Sequence, residues 1–382
     1  MSLRMFVLAG EASGDALGAA LLDGLALLAP GSEVQGVAGT QMQARGVKSL
    51  FPMSDLSVMG LAEIVPKYRH LHRRLHQTVA AVLAMKPDVL LTIDSPDFCL
   101  RVARLVRAAD PAIRTVHYVA PSVWAWRPGR AAKMARMIDQ VLALLPFEPP
   151  LMAAAGMRCD FVGHPVVAAP QATQAAAQAL RAEHGVGDAP LLLALPGSRR
   201  SEVTRLAPVF GAALGQVAAA RPGARALLPV APGLADLVRD AVADWPLPVS
   251  VIAPENGARK RAAFRAADVA LAASGTVSLE LAAADTPMVI GYRMNWLTMR
   301  IMRRMALVDT VTLVNLVSDT RVVPEFLGAD CTAEALAAGL LGVLADPGPQ
   351  RAACALAMDR LGRGGESPGL RAARAVLDGL GR

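Results

Sequence analysis

The sequence predicts an α/β protein built from two doubly wound, parallel-sheet domains that face each other across a cleft. Three observations carry that expectation. A chain of 382 residues is too long for one ordinary core and suits two domains of roughly 100–200 residues each. Short apolar runs alternate with helical patterns in both halves, the βαβ rhythm of a parallel sheet, and they are continuous, as strands covered on both faces require. Each half also opens on the same punctuation, an apolar run, a glycine-containing turn and a helix: Phe6-Val-Leu-Ala-Gly-Glu-Ala-Ser-Gly-Asp15 and Leu191-Leu-Leu-Ala-Leu-Pro-Gly-Ser-Arg199.

In the first half, strands are expected at 5–8, 34–37, 89–93, 115–119 and 141–145, with Ala- and Leu-rich amphipathic stretches between them. After Gly163-His-Pro165 comes an Ala/Gln stretch, and the rhythm restarts with strands at 191–195, 226–230, 249–252, 269–272 and 288–292. The expected domains are therefore 1–165 and 166–350. The closing helical stretch, 351–382, is expected to pack back on the first domain or onto the partner subunit of a homodimer.

Composition narrows the function. The four cysteines, Cys99, Cys159, Cys331 and Cys354, include no C-x-x-C pair, which argues against a structural zinc site or a disulfide framework and for a reduced, cytoplasmic chain. The N-terminal apolar stretch is too short for a signal peptide, and Glu11 follows it at once, so it reads as a buried first strand. No uninterrupted apolar run approaches the ~20 residues of a spanning helix. The net charge of +7 favours anionic partners, among them phosphorylated metabolites and acidic lipid surfaces. Nucleic acid is not expected, because base-stacking aromatics interleaved along a basic groove are absent.

Ligands of open α/β sheets sit outside the carboxyl ends of the strands. That rule singles out Glu11, Ser13, Gly14 and Asp15 after the first strand, Asp94 and Asp97 after the strand at 89–93, and Ser122 to Arg127 after 115–119. In the second half it selects Ser198 and Arg199, Ser274 to Thr276 with Glu280, and Arg293. Asp94, at the tip of an apolar strand, is the best-placed proton acceptor. Asp97 is expected to cap the helix that starts near Phe98. Trp124 and Trp126 lie between Pro121 and Pro128, where they would stack on a sugar, cover an apolar chain, or plug a gap between helices. Turn N–H groups, a hydroxyl and guanidinium groups meet in Leu195-Pro-Gly-Ser-Arg-Arg-Ser-Glu-Val203, a set that suits a diphosphate. Ala273-Ser-Gly-Thr-Val-Ser-Leu-Glu280 is a second such turn, with Glu280 far enough into the helix to reach a ribose or simply to face solvent.

The segment 61–75 sets apolar Ile64, Val65, Tyr68, Leu71 and Leu75 against basic Lys67, Arg69, Arg73 and Arg74, the make-up of an interfacial helix or of one packing on a core. The Met-rich stretch 296–305 repeats the mixture. His70, His72 and His76 lack a supporting carboxylate or cysteine set and are expected to be surface residues rather than metal ligands.

These motifs, together with Val58-Met-Gly60, Leu145-Pro-Phe-Glu148, Phe161-Val-Gly-His-Pro165 and Pro287-Met-Val-Ile-Gly-Tyr-Arg293, resemble the lipid-A-disaccharide synthase family nearly end to end. The resemblance implies a GT-B glycosyltransferase of two Rossmann-like domains, a UDP-2,3-diacylglucosamine donor, a 2,3-diacylglucosamine 1-phosphate acceptor, and a β-1,6-linked product with UDP released. It implies that Gly197, Ser198 and Arg199 meet the diphosphate, that Ser274, Gly275, Thr276 and Glu280 complete the UDP site, and that Asn315 lies near it. Asp94 matches the family's proposed base. Glu11, Ser13, Gly14, Asp15, Ser122, Trp124 and Trp126 would lie on the acceptor side. Ile64, Val65, Tyr68, Leu71, Arg73, Arg74 and Leu75 would meet acyl chains at an anionic membrane surface, with the enzyme peripheral to the inner face of the inner membrane. No cofactor is implied, and no metal, since the donor half has no Asp-x-Asp motif. The sequence departs from the family pattern at Cys99, Ala120, Val314 and Gly328. Two rivals stay open at this stage: an enzyme like UDP-N-acetylglucosamine 2-epimerase, and a non-catalytic lipid- or anion-binding protein.

Overall fold

Most strands form where the sequence places continuous apolar runs, and the computed structural model describes residues 2–56, 61–294 and 304–381, the side chains of 61–67 excepted. The chain divides into two units, Met1–Ala168 with Gly364–Arg382, and Ala169–Arg363.

In the first unit the strands are β1 (Arg4–Ala9), β2 (Glu33–Val37), β3 (Lys48–Ser49), β4 (Val89–Ile93), β5 (Arg114–Tyr118), β6 (Gln140–Ala143) and β7 (Arg158–Phe161). They pair in parallel in the order β3-β2-β1-β4-β5-β6-β7. The helices are α1 (Ala12–Leu28), α2 (Thr40–Gln43), α3 (Leu61–Met85), α4 (Pro96–Ala109), α5 (Gly129–Met134) and α6 (Glu148–Ala153). Both faces of the sheet are covered, which is why β1 reads as an unbroken apolar run. Met5, Val7 and Ala9 pack with Leu17, Leu21 and Leu25 of α1 and with Ala372 and Val376 near the C-terminus. Phe6 and Leu8 pack on the other face with Val82 of α3 and with Val102 and Val106 of α4. Each such side chain, fully buried, contributes roughly 1.5–3 kcal/mol.

The second unit carries β8 (Leu191–Leu195), β9 (Arg225–Pro229), β10 (Val249–Ile252), β11 (Val269–Ala272), β12 (Met288–Tyr292) and β13 (Glu325–Leu327). Their order is β10-β9-β8-β11-β12-β13, parallel throughout. Helix α7 (Gln174–Glu183) precedes β8, and helices α8 (Arg200–Ala220), α9 (Ala235–Val242), α10 (Gly257–Ala266) and α11 (Val277–Ala283) connect β8 through β12. By length and composition α8 is apolar enough to cross a membrane. Its Leu206, Phe210 and Leu214 are instead buried in the core against Leu192 and Ala194 of β8.

Three strands lie outside the expected set, β3, β7 and β13, and all three sit at sheet edges. Their residues are exposed or half-buried, so no apolar run marks them.

The stretch 351–382, expected to return as one piece, is divided. The helix Gly348–Arg360 stays with the second unit, packed on α11 and on the helix Leu313–Ser318. Only the helix Pro368–Gly379 joins the first unit, along α1. Two glycines permit that contact: a Cβ on Gly24 would lie 2.8 Å from the Leu370 Cα, and one on Gly369 would lie 2.3 Å from the Ala20 carbonyl oxygen. The returning helix is tied down where Gln140 Nε2 donates to the Ala375 carbonyl (2.7 Å) and the Arg371 guanidinium donates to the Phe161 carbonyl (2.7 Å).

Candidate functional site

In the first unit the chain leaves β1 toward β2 on one side and resumes with β4 on the other, the topological switch point at which such sheets bind ligands. Ala9 of β1 is in register with Ile93 of β4, and Ile93 with Tyr118 of β5, so three strands end at one level. There Ser13 Oγ donates to Asp94 Oδ2 at 3.4 Å. The Asp94 backbone N–H donates to the Tyr118 carbonyl at 3.0 Å, which fixes the residue in the left-handed region (φ 51°), followed by Ser95 at φ 42°. Aspartate tolerates this conformation better than most residues, and the half-buried side chain is thereby held at the strand tip.

The remaining residues of this end divide into exposed and committed ones. Glu11 is exposed at the N-cap of α1 and makes no side-chain cap bond. Asp15 does not serve the acceptor side as expected. It is 2% exposed, and its carboxylate accepts the backbone N–H groups of Gly39 (2.9 Å), Gln41 (2.8 Å) and Met42 (3.1 Å), capping α2. Gly14 is also buried, packed close to the Ile93 carbonyl. Asp97 does not cap α4; the N-cap is Ser95, with Pro96 behind it and Asp97 in the exposed first turn.

The two indoles have different surroundings. Trp124 is half-buried, its Nε1 donates to Glu148 Oε1 at 3.2 Å, and its ring meets Phe147 edge-on at 5.3 Å. Trp126 is half-buried under the Arg127 guanidinium, 4.2 Å from its ring, and Ser122 is exposed. Glu148, the last residue of Leu145-Pro-Phe-Glu148, is the anchor of this loop. It is 4% exposed and also accepts the Leu145 N–H at 3.0 Å, and burial pushes its carboxyl up to about 7. Burial likewise pushes His117 and His164 down to about 4.

In the second unit the turns after β8 and β11 are neighbours, since Leu195 pairs with Ala272. Gly197 (φ 119°) cannot carry a side chain: a Cβ there would lie 2.5 Å from the Glu202 Cβ. The Ser198 and Arg199 N–H groups, expected to face an anion, donate to Glu202 Oε2 at 3.0 and 3.3 Å in a capping box of α8. Tyr292 Oη donates to the other oxygen at 3.4 Å. The Arg199 side chain remains 66% exposed. Ser274, Gly275 and Thr276 form the second turn, with the small Gly275 at φ 153°. Glu280 follows in the first turn of α11, paired with Lys260 Nζ at 2.8 Å.

A cavity of about 750 Å³ opens beside Ser274, lined by residues after β12 and around β13, among them Tyr292, Asn315, Arg321 and Glu325. Asn315 lines it but is 1% exposed and fully employed: its Nδ2 donates to the Val323 carbonyl (3.0 Å) and its Oδ1 accepts the Val323 N–H (3.1 Å). It is a brace of the cavity wall. Arg293 donates to the Cys331 carbonyl at 2.8 Å.

On α3 the expected membrane residues separate by face. Tyr68 and Arg73 are exposed and Leu71 is half-buried. Arg74 turns inward, bound to Asp55 (2.6 Å) and stacked over Phe51, and Leu75 packs against the first unit's core. His70 is not simply a surface residue; its Nε2 meets Asp55 at 3.0 Å. The side chains of Ile64 and Val65, the motif at 58–60 and most of 296–305 lie outside the described residues. Among the described residues no group of three or more His, Cys, Asp or Glu side chains is arranged to hold a metal ion.

The family described as lipid-A-disaccharide synthetase matches residues 5–358. A lipid-A-disaccharide synthase of Ruegeria pomeroyi is 65% identical over 384 residues, covering 99% of this chain and 96% of its own length. Among solved structures, a UDP-GlcNAc 2-epimerase from Neisseria meningitidis bound to UDP-GlcNAc superimposes with a TM-score of 0.59 at 10% identity, covering 100% of this chain and 99% of its own. Acinetobacter baumannii MurG gives 0.59 at 15% identity, covering 100% and 99%. These two share the fold.

Proposed function

The chain belongs to the lipid-A-disaccharide synthase family, a family of glycosyltransferases, and from that premise we propose how its residues divide the reaction. The donor is UDP-2,3-diacylglucosamine and the acceptor is 2,3-diacylglucosamine 1-phosphate. Acceptor and base belong to the first unit, the donor to the second. An α-linked donor that yields a β-1,6 product reacts by inverting displacement, as in inverting glycosidases. Asp94 takes the proton of the acceptor 6-hydroxyl while that oxygen attacks the anomeric carbon, and the bond to the diphosphate breaks. UDP leaves as an anion and needs no general acid.

The observation that carries this reading is the placement of Asp94 at the switch point of the first sheet, with Ser13 Oγ on its Oδ2. Ser13 leaves the other oxygen for the incoming hydroxyl, and Glu11 offers a second exposed carboxylate nearby in sequence. Charge developing on the β-phosphate is met by the exposed Arg199 guanidinium and by the hydroxyls and turn N–H groups of Ser274 to Thr276. Because Glu202 holds the Ser198 and Arg199 N–H groups, those two become available to the diphosphate only when that carboxylate yields them. Glu280 faces the ribose in exchange for Lys260.

Diacylated substrates stay in a bilayer, since each buried methylene contributes ~0.8 kcal/mol, so the enzyme meets them at the inner face of the inner membrane. Tyr68, Leu71 and Arg73 form the part of α3 that supports docking there. The test of the reaction is a coupled assay of UDP release with and without the acylated acceptor. Release should require the acceptor, and release without it would overturn the reading. An epimerase would instead turn over soluble UDP-N-acetylglucosamine.

A further inference from the structure

We propose that the cavity of about 750 Å³ in the second unit holds an acyl arm of the donor; this rests on the transferase reading and names the part of the substrate the cavity takes. Its position fits. The cavity starts at Ser274, after β11, and runs past the carboxyl ends of β12 and β13, away from the Arg199 turn after β8. A diphosphate on the two neighbouring turns would leave whatever it carries pointing either back along β8 or into this space.

The chemistry of the walls selects hydrocarbon. Met294, Ala306, Val308, Val311 and Leu327 face the space. Beyond Ser274 at its mouth, the polar side chains Asp309, Thr310, Asn315, Arg321 and Glu325 of the lining are engaged with one another or with the backbone of the wall. The Glu325 carboxylate accepts from the Thr310 hydroxyl and from the Val311 (3.2 Å) and Thr312 (2.8 Å) N–H groups. Asn315 spends its amide on Val323, and Arg321 pairs with Asp309 at 2.9 Å through Nε. A base or sugar placed deep in this space would have to compete with those bonds for partners, and each of its groups left unpaired would cost about 1–3 kcal/mol. An alkyl chain would not. The volume is that of a small-molecule pocket, roughly 300–1,000 Å³. Leu307, between two lining residues and 58% exposed, marks an apolar lip.

The experiment compares kcat/KM for UDP-glucosamine donors with acyl chains of stepped length, at fixed acceptor, in the wild type and in Val308→Trp, Ala306→Trp and Val308→Ala. In the wild type kcat/KM should rise about fourfold per added methylene (~0.8 kcal/mol) up to a limiting length. The two Trp variants should reach that limit several carbons earlier, and the Ala variant about one carbon later. UDP titration of each variant reports whether the donor turns have survived; if the Trp variants lose UDP, Val308→Ala decides. An unshifted limit overturns the proposal. Failure of the wild type to release UDP on adding the acylated acceptor would instead overturn the transferase reading.

Discussion

Burial pushes the Glu148 carboxyl from its ordinary 4.5 up to about 7, while the unfolded chain ionises it at the lower value. Between those pH values the native state holds the extra proton, so this residue's contribution to stability falls as pH rises through 7. Glu148→Gln should remove that loss: relative to wild type, the variant should gain about 3 kcal/mol in urea melts between pH 4.5 and pH 8, and a constant difference would refute the assignment. His117 and His164 act oppositely. Their folded values near 4 lie below the ordinary 6.5, so their contribution is lost as pH falls from 6.5 toward 4. At Glu202, a carboxylate on the N–H groups of Ser198 and Arg199 repels an arriving diphosphate. Glu202→Gln should therefore tighten UDP binding several-fold while costing roughly 0.5–2 kcal/mol of stability as the cap weakens; calorimetric titration and melts of the same variant read both. The place of Asp94 at the end of β4 was legible because a strand tip is a position in sequence. Glu148 and Glu202 were not, because their partners are set by tertiary contacts; for Glu202 the available signal was a glutamate three residues after a helix N-cap.

At the scale of elements, α3 has an inward side and an exposed side. Arg74 and Leu75 hold it to the first unit, and on the docking reading proposed above Tyr68, Leu71 and Arg73 would be the side that meets lipid. Leu71→Glu with Arg73→Glu should abolish most binding to anionic liposomes in a flotation assay, with unchanged binding counting against the patch. Arg74→Glu should instead lower the melting temperature, because it places like charge on Asp55. The central strands could be read from sequence because both faces are buried, which leaves mostly apolar residues in a row. Edge strands β3, β7 and β13 lack that compulsion, and they were missed for that reason. The close approach of α1 and the helix Pro368–Gly379 was also hidden, since a glycine in a helical stretch does not announce its neighbour. Gly369→Val should cost about 1–3 kcal/mol by overpacking, read as a lowered urea midpoint.

For the whole molecule, the proposed division of base and donor between the two units predicts that single substitutions separate the two tasks. Asp94→Ala should lower kcat by about 10²–10⁴-fold with UDP affinity unchanged. Arg199→Ala should weaken UDP by about 10–100-fold through loss of charge-assisted hydrogen bonds. Turnover assays and UDP titrations on both variants check the pair; equal loss of UDP affinity in the two would refute the division.

The helix Pro368–Gly379 completes a unit whose other residues end at Ala168. On the ribosome, the first unit must therefore wait for the segment 364–382 to emerge, on the order of 10–40 s after its other residues at ordinary elongation rates, while the uninterrupted unit can close beforehand. During that interval Ala19, Leu21 and Leu25 lack the side chains of Ala372 and Val376 that will cover them. Until then an apolar face of α1 stands open to water, and the newly made N-terminal half is exposed to misassembly.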